Sequence, residues 1–249
     1  MLEIKNLCVS RGGRPILSGI DLSPEPKTLT AVLGKNGCGK STLVSCVNME
    51  LPFGGEIFLN GKSIRKMSPK ERARFVSFLP QKLPAPHISV EELVGMGRNP
   101  YLGIGKRLTA GDRLQVKSAM EAVGIASLSE CFADEISGGE RQKAYLAMTV
   151  AQDTGLMIFD EPTTYMDVTG AYAFMKLLDG LKKKYGKTVL AVMHDLGQAV
   201  RWADNVAVIS EKRIFFYGSV EKCLEERVLE NVFGVKRHEA DGEIFFSAD

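Results

Sequence analysis

The sequence has little of what would tie it to a bilayer, a disulfide scaffold or a nucleic acid. No apolar run approaches the roughly 18 residues that a membrane span needs. The opening stretch MLEIKNLCVSRGG carries Glu3 and Lys5 where a signal peptide has its apolar segment. The five cysteines, Cys8, Cys38, Cys46, Cys131 and Cys223, are odd in number, scattered, and lack the CxxC spacing of a zinc site. A reducing, cytosolic setting is therefore expected, with any membrane association arising through a partner. A formal net charge of +2 is too mild to argue for nucleic acid. The run Lys182-Lys183-Lys184 reads as a solvated helix end, where cations suit the helix dipole. No repeat, low-complexity tract or Gly/Ser linker divides the chain. Its 249 residues thus suit one large domain, or a domain with an inserted lobe.

What is present alternates in texture. Leu2, Ile4 and Leu7 mark a short extended run, and Leu29–Leu33 a continuous apolar strand. Glu56–Leu59 followed by Asn60-Gly61 predicts a hairpin, because both turn residues tolerate positive φ. Ser68-Pro69-Lys70-Glu71 supplies an N-cap, a proline at N1 and a glutamate at N3, so a helix starts there. Between about Ser89 and Thr149 strand-like runs are scarce, and Ser89–Glu92 and Thr109–Asp112 both look like helix starts. Strands return at Leu156–Phe159, Thr188–Met193 and Asn205–Ile209. The expected fold class is α/β, with a mostly parallel sheet and a helical lobe inserted at 89–149 between core segments 1–88 and 150–249.

Gly34-Lys35-Asn36-Gly37-Cys38-Gly39-Lys40-Ser41-Thr42 fits G-x-x-x-x-G-K-[ST] and sits between a buried strand and the helical run Ser41–Met49. Glycines let the backbone curl around phosphate with its N–H groups inward, and the helix N-terminus adds positive potential. Lys40 is placed to reach the β- and γ-phosphates of ATP, and Ser41 to ligate Mg²⁺. Thr42 follows Gly39-Lys40-Ser41 where a dinucleotide fingerprint needs glycine. Cys38 reads as a small residue at a variable loop position. Downstream, the apolar strand Leu156–Phe159 delivers Asp160 to the carboxyl edge of the sheet, where it serves Mg²⁺. Glu161, one residue further, is suited to orient or deprotonate attacking water.

Ile136-Ser137-Gly138-Gly139-Glu140-Arg141-Gln142, lying between those two motifs, resembles the signature of ABC-type ATPases, the nucleotide-binding subunits of ABC transporters. The resemblance implies a P-loop ATPase cassette with an N-terminal antiparallel β region and a helical lobe. It implies that Gln81, in Phe78-Leu79-Pro80-Gln81, senses Mg²⁺ and links the site to a membrane partner. By the same resemblance Asp167 is a dimer-communication residue, and His194 contacts the γ-phosphate. Two cassettes would pair head to tail, most simply as a homodimer. Ser137, Gly138 and Gly139 of one would then grip the ATP held by the other.

Val90–Tyr101, with its Gly97-Arg98-Asn99-Pro100, and Glu161–Asp167, with Thr163-Thr164-Tyr165, resemble importers of iron-siderophore, haem and cobalamin. That implies integral-membrane permease partners, a substrate-binding protein acting through them, and a position on the inner face of the cell membrane. The alternative reading is a soluble ABC ATPase such as an iron–sulfur cluster assembly factor. One position departs from the family: Arg11 stands where an aromatic residue usually stacks on adenine, and its planar guanidinium can stack there as well.

Overall fold

The computed structural model describes residues 1–248 except Ile104, Lys106 and Tyr165, so the last residue of the Thr-Thr-Tyr segment lies outside the described residues. In chain order the elements are β1 (Leu2–Arg11), β2 (Arg14–Leu22), β3 (Leu29–Leu33), α1 (Lys40–Val47), β4 (Gly54–Leu59) and β5 (Lys62–Ser63). Next come α2 (Pro69–Arg72), β6 (Val76–Leu79), α3 (Val90–Gly95), α4 (Ala110–Val123), α5 (Gly138–Ala151) and β7 (Leu156–Asp160). The chain continues through α6 (Val168–Tyr185), β8 (Thr188–Val192), α7 (Leu196–Trp202), β9 (Asn205–Ser210) and β10 (Arg213–Ser219). It ends with α8 (Val220–Glu225), α9 (Val228–Phe233), β11 (Val235–Ala240) and β12 (Glu243–Ala248).

The central sheet has the order β10-β9-β3-β8-β7-β6, parallel from β9 to β6 and antiparallel only at β10. Its middle strands β3 and β8 are buried along their whole length and apolar except at Thr30 and Thr188, because both faces are covered. Alternate residues feed two cores. Leu29, Ala31 and Leu33 of β3 face the helical side with Phe159 and Phe174, while Val32 faces Leu43, Val44 and the second sheet. That second sheet, β2-β1-β4-β5, is antiparallel. Its β4–β5 hairpin turns at Asn60 and Gly61, at φ 50° and 77°, as the Asn-Gly pair predicts.

Between β6 and β7 lie α3, α4 and α5, and each begins with a reciprocal capping box: Ser89 with Glu92, Thr109 with Asp112, Ser137 with Glu140. The Gly-Arg-Asn-Pro segment knots these helices together. A Cβ at Gly97 would lie 2.3 Å from the Met148 carbonyl oxygen of α5, so only glycine lets the backbones approach this closely. Arg98 then spans the junction, with Nε on Asp112 at 3.0 Å, Nη1 on the Ala151 carbonyl at 2.8 Å and its guanidinium 4.1 Å from the Tyr101 ring centre.

Three readings need correction or extension. Lys182 is not solvated: it is buried, and its Nζ donates to Asp204 at 2.7 Å while pairing with Asp179 at 3.2 Å. Asp204 also accepts the Leu29 N–H at 2.6 Å, so this lysine steadies the start of β3. Lys183 is exposed as expected. Helix α1 stops at Val47 rather than Met49, because Met49 takes a left-handed φ of 61°. Strands β2, β6, β10 and the C-terminal β11–β12 ribbon add to the strands read from the sequence.

Arg98 and Asp112 are only 12% and 10% exposed, so Arg98→Ala leaves a nearly buried carboxylate without its partner and is expected to cost about 3 kcal/mol. The Thr109 hydroxyl, then its N–H, then Arg98 hold the Asp112 carboxyl below the usual carboxylate range. A lowered folded pKa means the stabilisation is complete above about pH 4 and is lost only as pH falls through the lowered value. Urea unfolding of wild type and Arg98→Ala is therefore expected to show a full gap at pH 7 that closes only in strong acid.

Candidate functional site

Strands β3, β7 and β8 end at one edge of the sheet, and the loops that follow them meet in a cleft of about 820 Å³. The loop after β3 turns into α1 at Gly39, at φ 107°, where an added Cβ would sit 2.6 Å from Leu17 Cδ2. Unlike α2 to α5, α1 has no side-chain cap at its start. Its first N–H groups therefore face the cleft in the arrangement that suits phosphate oxygens. Lys40 Nζ donates to the carbonyls of Gly34 at 2.7 Å and Lys35 at 3.4 Å, which folds the ammonium back over the loop. Asn36, Gly37, Gly39, Lys40, Ser41 and Thr42 line the cleft; Gly34 and Cys38 form the loop's packed underside.

Ser41 Oγ donates to Asp160 Oδ1 at 3.2 Å, so hydroxyl and carboxylate converge from α1 and β7. Burial pushes the Asp160 carboxyl up. The Ser41 hydroxyl opposes this, the Glu161 charge adds to it, and Lys40 and His194 oppose it. A cation between Ser41 and Asp160 would favour the ionised form. Among the described residues no group of three or more His, Cys, Asp or Glu could hold a metal unaided. Two oxygen donors beside a phosphate loop fit Mg²⁺, which keeps waters and substrate phosphates as its other ligands.

Glu161 leaves β7 with a left-handed φ of 53°, while its N–H still bonds the Val192 carbonyl at 3.1 Å. This turn aims its side chain into the cleft, where it is 11% exposed. Oε2 accepts from Gln81 Nε2 and, at 3.2 Å, from the Thr164 hydroxyl; Oε1 contacts His194 Nε2. Four chain segments thus converge on this end of the cleft: the phosphate loop, the loop after β6, the turn after β7 and the segment after β8.

Other predicted residues lie elsewhere. Ser137 caps α5, with Gly138 and Gly139 in its first turn, and none of the three lines this cleft. Asp167 caps α6, accepting the Gly170 N–H at 2.6 Å, and also lies outside the lining. Arg11 is exposed at the β1–β2 turn, whereas Ile16 of β2 lines the cleft beside the phosphate loop. Neither Ile16 nor the hydroxyl role of Thr164 was legible in the sequence. Ile16 is an ordinary strand residue, and Thr164 stood out only as part of Thr-Thr-Tyr.

Against known proteins, residues 17–164 match the family model described as ABC transporter. The petrobactin import ATP-binding protein FpuD of Bacillus anthracis is 38% identical over 93% of this chain and 86% of its own length. The iron(3+)-hydroxamate import ATP-binding protein FhuC of Bacillus subtilis is 36% identical over 94% and 88%. Among solved structures, a metal-chelate type ABC transporter in an inward-facing conformation matches with a TM-score of 0.83. It covers 98% of this chain and 95% of that one at 23% identity, a likeness of fold. CbiO1 of Clostridium perfringens, part of the transporter complex cbiONQ, gives 0.80 at 26% identity over 92% and 94%.

Lys40→Ala removes the one ammonium tethered over the loop. ATP affinity measured by titration calorimetry is expected to fall at least about tenfold, equivalent to about 1.4 kcal/mol, with the melting temperature little changed.

Proposed function

The chain belongs to the ABC transporter family and is an ATP-binding, ATP-hydrolysing subunit, and from that premise we propose that it drives uptake of a metal chelate of the iron-siderophore, haem or cobalamin type. The observation that carries this reading is the likeness, along nine-tenths of the chain, to ATP-binding proteins of petrobactin and iron-hydroxamate import. Segments 1–88 and 150–249 act as the catalytic core and 89–149 as a helical lobe, with Gln81 linking the site to the permease. No helix among the described residues is long and apolar enough to cross a membrane. By its likeness to import ATP-binding proteins, the chain works at the inner face of the membrane with integral-membrane permease partners fed by a substrate-binding protein.

ATP lies along the phosphate loop, with the N–H groups of Asn36–Thr42 and the Lys40 ammonium holding its phosphates. Ser41 and Asp160, with Gln81 nearby, would hold Mg²⁺, which neutralises charge on the β- and γ-phosphates. Glu161 orients the attacking water and takes its proton. His194 holds Glu161 from the β8 side and, by the family resemblance, contacts the γ-phosphate. Ser137, Gly138 and Gly139 do not line the cleft of their own chain, so in this reading their anion-binding role serves the other member of a pair. A second copy supplies them at the start of its α5, and Asp167 reports across the interface. ATP thereby closes the pair and hydrolysis releases it, an order switched by the γ-phosphate.

Co-expression with a siderophore permease tests the transport reading. The chain is expected to co-purify with the permease, and its ATP turnover to rise when chelate-loaded binding protein is added. Purification free of any permease but bound to iron–sulfur scaffold proteins would overturn it.

A further inference from the structure

We infer that Thr164 is a positioning residue for ATP hydrolysis, its hydroxyl anchoring the Glu161 carboxylate so that the opposite oxygen faces the attacking water. The inference rests on Glu161 being the hydrolytic residue, as proposed above. A carboxylate offers about four acceptor positions. On Oε2, Gln81 and Thr164 occupy both; on Oε1, His194 occupies one. Among the described residues, the second position on Oε1 has no donor and is open to a water proton.

Thr164 differs from the other two donors in where it sits. Gln81 follows β6 and His194 follows β8, so each reaches Glu161 from a separate loop. Thr164 belongs to Glu161's own turn. Its N–H bonds the Glu161 carbonyl at 3.3 Å, Pro162 between them is buried, and Glu161 holds the left-handed φ that closes the turn. The hydroxyl is therefore carried with the carboxylate. Thr164 also lines the cleft, so the bond lies at the reacting end of the site.

Steady-state ATP hydrolysis by wild type, Thr164→Val, Thr164→Ser, Glu161→Gln and the double variant Thr164→Val/Glu161→Gln tests the assignment. Val matches Thr in shape without the donor, and Thr164→Ala gives a second deletion of the hydroxyl should Val crowd the turn. Thr164→Val is expected to lower kcat about five- to tenfold, the scale of one lost hydrogen bond, with KM for ATP within about twofold. Thr164→Ser is expected to restore most of the rate. In the Glu161→Gln background the Thr164 change is expected to add no further loss, because the two residues act as one unit. Wild-type kcat in both Thr164→Val and Thr164→Ala, with Glu161→Gln reduced to a low but measurable rate, would overturn the role of Thr164 alone. So would an additive loss in the double variant. Undiminished hydrolysis by Glu161→Gln would instead remove Glu161 from the hydrolytic step, and the inference with it.

Discussion

Parallel pairing of β3, β8 and β7 is the constraint from which the site follows. Val192 of β8 is in register with Val32 on one side and with Asp160 on the other. The next residues of all three strands therefore emerge level with one another, at the same edge. Lys40, Asp160 and His194 are far apart in sequence, yet this register leaves their loops no other place to go. A one-residue slip of β7 would turn Asp160 to the opposite face and bury Glu161's partners away from it. Alternate side chains of these strands are committed to two different cores, so a slip would exchange residues between cores packed for other shapes.

On that platform the costs are local and visible. Glu161 holds a left-handed backbone that a non-glycine residue adopts at about 1–2 kcal/mol, and Asp160 carries a carboxyl that burial disfavours in its charged form. Ser41 hydrogen-bonds the Asp160 carboxylate, while Gln81, Thr164 and His194 gather on that of Glu161. The helical lobe is organised by a different device, the close backbone approach at Gly97 and the Arg98 bridge from Asp112 to the end of α5. This ties α5, whose first turn carries Ser137–Gly139, to α4 and to the turn that follows α3. The Gly-Arg-Asn-Pro segment first drew notice as a family mark; in the structure it is a packing junction.

Much of this was readable before any coordinates. The phosphate loop, the strand ending in Asp160 and the capping-box helix starts each carry their physics in adjacent residues, so local sequence suffices. What escaped depends on distant partners. Strand β2 is broken in pattern by Pro15, Ser18 and Gly19, and it pairs with β1 through repeated register shifts. Lys182 looked like one of three solvated lysines, and only the arrival of Asp204 from the segment before β9 buries it. Ile16 of β2 lines the cleft, and its place there depends on how the β1–β2 hairpin packs beside the phosphate loop rather than on any local pattern. The hydrogen bond from Thr164 required the left-handed turn at Glu161, which no local propensity announces.

The central claim is that each chain holds one half of an ATP site and that a second copy's α5 start completes it. Sedimentation velocity of Glu161→Gln, with and without saturating Mg-ATP, measures this directly. The account predicts a monomer without nucleotide that becomes a dimer with ATP and remains monomeric with ADP. A chain that stays monomeric while fully loaded with ATP would contradict it.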